Sequence, residues 1–557
     1  MKRGVPEGQR ARAGAAATLL FTLAVLAIVP SASPEQSASK VRRVAAGFLD
    51  VGGNHSCVVL ATRAVRCWGD GANGQLGYGN LNSIGDNEAP GSVGPVDLGA
   101  GRTALAVSAG GDHTCALLDT HQVRCWGAGA NGRLGYGNTN DIGDNESPGS
   151  AGPVDLGAGR TAVAISAATA HTCAILDTGQ VRCWGNGANG RLGYGNTNSI
   201  GDNETPGGFG PVDLGTGRTA VAISAGNSHT CAILDTGQVR CWGNGANGRL
   251  GYGNTTTIGD NETPGGFGPV DLGAGRTAVA ISAGNAHTCA ILDTGQVRCW
   301  GLGTNGRLGY GNTNSIGDNE APGSVAPVDL GAGRTAVAIS AAGASTCVIL
   351  DTGQVRCWGS GADGRLGTGN LNDIGDNETP GSVPPVDLGA GRTAVAISVG
   401  AAHACALLDD GSVRCWGLGL NGQLGYGNTN DIGDNETPGS VTAVNAGGPA
   451  ATKARPTLSL ALKPKRDRRA AYRFAASGAL TGFLADRATC SGLVTVRARK
   501  GRLSVARKTA PKLVGAGCRY AASFRVRRKG TWRVTAVFAG NGSLTSRSAV
   551  TRKFRAG

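Results

Sequence analysis

A chain of 557 residues is long enough for two or three domains and a substantial core. Its 96 glycines follow no every-third-residue rule, which excludes a collagen-like helix, and a single methionine with few aromatics argues against long packed helices. The formal charge of +14 averages two opposite bodies: residues 46–452 hold 19 Arg and no Lys against 34 Asp and Glu, while residues 453–557 hold 26 Lys and Arg against Asp467 and Asp486 alone.

At the start of the chain, Lys2, Arg3, Arg10 and Arg12 precede an apolar stretch over 15–29, followed by the small residues Ser31, Ala32 and Ser33. A charged region, an apolar core and a cleavage zone identify residues 1–38 as a signal peptide and processing region. The apolar stretch falls short of the roughly 20 residues that span a bilayer. The expected location is therefore secreted or associated with the cell envelope.

Residues 46–448 are organised by their cysteines. Cys57, Cys115, Cys173, Cys231, Cys289, Cys347 and Cys405 follow one another at a constant interval of 58 residues, and each has a second cysteine ten residues later. Residues 171–197 recur letter for letter at 229–255. Seven copies without insertion or deletion call for a closed repeat architecture. Within the second copy, 104–108, 114–118 and 122–126 read as strands. The last two are joined by a tight turn that becomes Asp-Thr-Gly in later copies, as at Asp177, Thr178 and Gly179. A glycine-rich loop over 127–153 then leads to a fourth strand at 154–156. Four short strands per unit make one propeller blade, so the expected fold is all-β, a seven-bladed β-propeller. The last copy ends after 441–447 without a further strand, while the chain opens at 46–52, one period before 104–110. That offset predicts that the opening strand completes the last blade.

The unit His-Thr-Cys-Ala…Val-Arg-Cys-Trp-Gly-x-Gly-x-Asn-Gly-Arg/Gln-Leu-Gly-x-Gly, as at 171–195, resembles the regulator-of-chromosome-condensation (RCC1) repeat. The cysteine-bearing form is similar to secreted bacterial members of that superfamily. The resemblance implies a seven-bladed propeller. The family's eukaryotic namesake exchanges nucleotide on a small GTPase and binds chromatin. An exported chain would meet neither partner, and only scaffold residues transfer.

In each hairpin the two cysteines stand symmetrically about the turn, so they face each other across adjacent antiparallel strands. Export permits oxidation. The expected disulfides are Cys57–Cys67, Cys115–Cys125, Cys173–Cys183, Cys231–Cys241, Cys289–Cys299, Cys347–Cys357 and Cys405–Cys415. The alternative is metal ligation with His55, His113, His171, His229, His287 and His403, two residues before the first thiol; the sixth copy has Ser345 there. A flat hairpin surrounds an ion poorly, so a structural role suits these histidines better. Trp68, Trp126, Trp184, Trp242, Trp300, Trp358 and Trp416 recur as expected core between blades.

Every copy carries Gly-Asp-Asn-Glu, with acids at Asp86 and Glu88, Asp144 and Glu146, Asp202 and Glu204, Asp260 and Glu262, Asp318 and Glu320, Asp376 and Glu378, and Asp434 and Glu436. Such carboxylates suit calcium, although the twelve-residue helix-loop-helix spacing is absent. The competing reading gives them turns to set and Arg133, Arg191, Arg249, Arg307 and Arg365 as ion partners. No unique serine, histidine and carboxylate set stands out from the repeat, which argues against catalysis.

Residues 449–456 read as a linker. Beyond it, 457–557 form a small basic domain with strands at 457–462, 472–476, 493–497, 520–526 and 532–538 and a bridge Cys490–Cys518. It resembles an immunoglobulin-like β-sandwich. Lys465, Arg466, Arg468 and Arg469, a cluster at Arg497, Arg499, Lys500 and Arg502, and Arg525, Arg527, Arg528 and Lys529 form basic groups. They suit an anionic cell-envelope polymer; without interleaved aromatics they do not suit specific nucleic-acid recognition. The sequence thus describes a monomeric exported binding scaffold for a protein or glycan, with no catalytic residues. The alternatives are an enzyme acting on extracellular polysaccharide and a purely structural envelope protein.

Overall fold

The computed structural model describes residues 48–448 and, between 457 and 556, a series of strand segments. The expected signal peptide over 1–38 and the linker over 449–456 lie outside the described residues. Among the described residues there is no α-helix; the only helical turns are of the 3-10 type.

Residues 48–448 form seven three-stranded antiparallel sheets in chain order. The first consists of Leu49–Val51, His55–Val59 and Val65–Gly69. The second, one period on, consists of Ala104–Ala109, His113–Leu118 and Val123–Gly127, and the seventh of Ala394–Val399, His403–Leu408 and Val413–Gly417. The middle strands are buried on both faces, which is why sequences such as His-Thr-Cys-Ala-Ile-Leu show no strict alternation. The tight turns need a left-handed residue, and it is supplied by Gly179 at φ 80° and by His121 at φ 63°.

Two expectations change. The segment at 154–156 is not a fourth strand. Val154 donates one backbone bond to the Val123 carbonyl at 2.8 Å without entering a ladder, and the equivalent Val328 and Val386 make only isolated bridges, to Val297 and Val355. Nor does the opening strand complete the last sheet. Leu49–Val51 pairs with its own neighbour, Leu49 opposite Val58 and Val51 opposite Ser56. Three residues, Gly52 to Asn54, join those two strands, so local pairing closes the smallest loop and wins. The seventh sheet draws all its strands from 394–417.

The ring closes by packing instead. Between the first two sheets, Trp126 Nε1 donates to the Gln75 carbonyl at 2.9 Å and His55 Nε2 bonds Thr114 Oγ1 at 2.8 Å. Between the seventh and the first, Trp68 Nε1 donates to the Gln423 carbonyl at 3.0 Å and His403 Nε2 bonds Ser56 Oγ at 3.0 Å. The closing interface repeats the others, so no sheet is left as an end. All seven repeat tryptophans are fully buried in one continuous core.

Between 457 and 556 the strands form two further sheets. One has five strands: Thr457–Leu458, Ala461–Lys463, Tyr472–Thr481, Lys512–Val514 and Gly517–Val526. The other has six: Arg466–Asp467, Val494–Lys500, Leu503–Thr509, Gly530–Phe538, Arg547–Ser548 and Arg552–Ala556. Val494, Val496, Ala498, Trp532, Val534 and Ala536 alternate inward. Cys518 is disulfide-bonded, while Cys490 lies outside the described residues.

Candidate functional site in the central channel

The innermost strands of the seven sheets line a common cavity of about 550 Å³. Its wall carries a tier of serines at equivalent positions: Ser108, Ser166, Ser224, Ser282, Ser340 and Ser398. Each Oγ accepts a backbone N–H from the next sheet at 2.9–3.1 Å, for example Ala167 N to Ser108 Oγ and Val51 N to Ser398 Oγ. These bonds tie the inner strands into a ring.

In the first sheet the serine is replaced. Asp50 stands opposite Cys57 just as Ser108 stands opposite Cys115. Its Oδ2 accepts the Ala109 N–H at 3.0 Å and its Oδ1 accepts the Ser398 hydroxyl at 2.7 Å. Burial pushes this carboxyl above its usual range, opposed by hydrogen bonds from Ser398, Ala109, Ser108 and Val51. Asp50 is thus a polar group that the repeat does not share, set among six equivalent serines. The signal in the sequence was one letter, Asp in place of Ser across seven aligned copies.

Behind the wall lies a second ring, of buried histidines. Thr114 Oγ1 donates its proton to the Gln75 carbonyl at 2.9 Å, so His55 Nε2 must be the donor to Thr114 Oγ1. The same logic fixes His171, His229, His287 and His403 as neutral rings protonated on Nε2. Their Nδ1 atoms have no partner. Burial lowers His55 to about 4 and His229, His287 and His403 to about 3, with neighbouring arginines and histidines adding to the effect in the last three. The cysteine pairs beside them are bonded in all seven hairpins, with Cα atoms 4.0–4.1 Å apart. Bonded sulfurs leave no thiolate for a metal at the histidines.

In several Gly-Asp-Asn-Glu loops an acid bonds its own loop backbone. Asp86 Oδ1 accepts the Asn87 N–H at 3.0 Å, and Glu320 Oε1 accepts the Gly317 N–H at 3.3 Å. Among the described residues no group of three or more His, Cys, Asp or Glu converges as a metal site. The arginines expected to pair with these acids go elsewhere: Arg133 lies 3.8 Å from Asp112 and donates to the Ala130 carbonyl, and Arg365 pairs with Asp363. A different series forms the outer ion pairs, with Arg160–Asp177 at 3.4 Å and Arg218–Asp235 at 3.3 Å typical of it.

Of the first and last basic clusters in the tail, Arg525 is exposed on Gly517–Val526 and Arg466 lies on a strand. Lys465, Arg468, Arg469, Arg527, Arg528 and Lys529 lie outside the described residues. Pairing across strands brings together a row the linear clusters did not show. Arg499 stands opposite Arg533, and Arg533 opposite Lys553, all three exposed.

A ring of all-β sheets stitched by tryptophan, histidine and serine contacts around a channel defines a propeller-type repeat protein. The family model for the RCC1-like domain matches residues 88–455, and that for the regulator of chromosome condensation (RCC1) repeat matches residues 41–75. The chain belongs to the RCC1-like domain family.

Among curated relatives, the chain is 29% identical to the ultraviolet-B receptor UVR8 of Arabidopsis thaliana, over 69% of this chain and 79% of the relative. It is 30% identical to the mitochondrial RCC1 domain-containing protein RUG3 of the same plant, over 61% and 72%. The human E3 ubiquitin-protein ligase HERC2 is 28% identical over 66% of this chain, which spans only 7% of HERC2. Among solved structures, yeast RCC1 (Prp20) in its complex with Kap60 superposes with a TM-score of 0.53 at 17% identity, covering 78% of this chain and 91% of that one. Human WBSCR16 gives 0.52 at 21% identity, covering 66% and 93%. At these identities the structural likeness establishes the fold.

Proposed function

We propose that this protein is an exported binding scaffold: seven blades present a propeller surface to a protein partner, while a basic immunoglobulin-like β-sandwich over 457–557 holds an anionic cell-envelope polymer. The row Arg499–Arg533–Lys553 carries the polymer arm. Adjacent strands lie about 4.8 Å apart, and like charges directly opposite one another destabilise a sheet. No acid among the described residues pairs with these three side chains, so a polyanion laid across the strands is the natural counter-charge. Seven disulfides support export, since such bonds persist in oxidising compartments. Protein binding is supported by family: the solved yeast RCC1 complex contains Kap60, and a second study of Prp20p describes binding to Gsp1p and histones.

Co-sedimentation of the purified full chain with cell-envelope fractions tests this reading. Binding that saturates, weakens with salt and drops at least tenfold in the double variant Arg499→Glu and Arg533→Glu supports it. Sedimentation equal for variant and parent overturns the polymer arm. Failure to find the protein outside the cytoplasm overturns export.

A further inference from the structure

Among the described residues, the channel contains one carboxylate with no cationic partner. Of the residues lining the cavity, only Asp50 and Asp112 carry charge, and Asp112 already faces Arg133 at 3.8 Å. Asp50 is held by hydroxyls and amides, none of which is a cation. A carboxylate ionised among neutral dipoles in a restricted cavity attracts a positive ligand more strongly than one in open water.

Among the described residues, the wall beside Asp50 also differs from its counterparts in the other sheets. The inner strand of the first sheet spans three residues, Leu49–Val51, where its counterparts span six or seven. On its neighbour across the seam, Ala394–Val399, Val395 is 48% exposed, while the equivalent Val163, Val221 and Val279 are half-buried. Val395 and Ile397 line the same cavity as Asp50, and Ser398, next to Ile397, donates to Asp50. An apolar shelf therefore runs up to a lone carboxylate.

We propose that the channel is a binding site for an alkylammonium group, the chemistry of a lysine side chain, with Asp50 taking the charge and Val395 and Ile397 packing the stem. The Ala109 and Ser398 bonds fall one on each carboxylate oxygen, and Ser108 and Val51 bear on the carboxylate too, so the parallel fork a guanidinium needs is occupied, whereas a compact ammonium needs only one open approach from the channel. A hard divalent cation asks for six or more oxygens, and among the described residues no group of three or more His, Cys, Asp or Glu gathers at Asp50. Hydrocarbon beside the charge selects an amine with a stem over a bare cation.

Calorimetric titration of the purified full chain with n-butylammonium chloride tests the site, with n-butanol and sodium butyrate as controls. The expected result is saturable binding of butylammonium alone, weakened at least tenfold in Asp50→Ser, which restores the serine of the other six sheets, and several-fold in Val395→Ser. If Asp50→Ser does not fold, Asp50→Asn removes the charge and keeps the side-chain volume, and the same loss is expected. Nα-acetyl-lysine methylamide, compared with its norleucine counterpart, identifies the source. Binding of the lysine compound supports a partner's side chain, and binding of butylammonium alone supports a free amine. Absence of saturable binding in the parent, equal binding after loss of the charge, or equal binding of butanol overturns the proposal. The readout depends neither on export nor on the basic tail, so it fails separately from the function proposed above.

Discussion

The Tyr136 hydroxyl accepts the amide N–H of Cys125 and donates to the carbonyl of the same residue, both at 3.1 Å. The two cysteines of each hairpin form a non-hydrogen-bonded pair, so the backbone groups of the second point away from the first and need another partner. The same tyrosine clamp recurs at Tyr78 on Cys67 and Tyr426 on Cys415. Burial pushes these hydroxyls up to about 12. In the sixth blade Thr368 takes the place, too short to reach, and its buried hydroxyl has no partner. Tyr136→Phe is expected to lower unfolding free energy by about 1–3 kcal/mol, the cost of leaving two buried backbone groups unpaired. Thr368→Tyr is expected to raise it by about 1 kcal/mol. Urea denaturation of both variants measures this.

Acid should loosen the ring. Unfolded histidine titrates near 6.5, while folded His55 titrates at about 4 and His229, His287 and His403 at about 3. Between those limits the unfolded chain binds more protons, so stability is full above about pH 6.5 and falls as pH drops toward 4 and 3. Each ring contributes about 1.4 kcal/mol per pH unit within that window. His287→Ser, copying the Ser345 of the sixth blade, should reduce proton uptake on unfolding at pH 5 by one, measured by potentiometric titration against the parent.

Serine 398 does more than its counterparts. Ser224 Oγ accepts one N–H, from Ala283, whereas Ser398 Oγ accepts that of Val51 and also donates to Asp50. Ser224→Ala is expected to cost about 1 kcal/mol and Ser398→Ala about 2–3 kcal/mol, because a buried carboxylate loses a charge-assisted bond. Equal midpoints in chemical denaturation would contradict a special role for the seam.

Gly135 is expected to tolerate no side chain. Its φ is 83°, and a Cβ there would lie 2.8 Å from Nε1 of Trp184 on the next blade. Gly135→Ala combines a left-handed backbone with a clash against a fully buried ring, and a loss of about 2–4 kcal/mol is expected. Thermal unfolding followed by tryptophan fluorescence reports both the loss and the displaced indole.

Much of this was legible because the sequence repeats. The interval of 58 residues announced seven equal units, and two cysteines symmetric about a turn can only face each other across its strands. The failures share a cause. Placing the opening strand in the last blade treated the chain ends as the only source of closure, yet the ring is joined by side-chain and loop contacts that any pair of neighbouring units makes. A fourth strand is expected at 154–156, yet a single backbone bond to Val123 is all that the short segment makes there. The partners of Arg133 and its equivalents were assigned by opposite sign alone, and sign carries no direction in space.

By itself the sequence determined periodicity, local hairpins, the oxidisable pairs and the division into an acidic and a basic body, since each depends on neighbours close in the chain. Only the tertiary structure decided that six serines and one aspartate share a tier around a channel, and that Arg499, Arg533 and Lys553 stand in a row. Residues hundreds of positions apart, such as Asp50 and Ser398, meet because a ring returns its last blade to its first. That return depends on the angle at which successive sheets pack, which no single stretch of chain encodes.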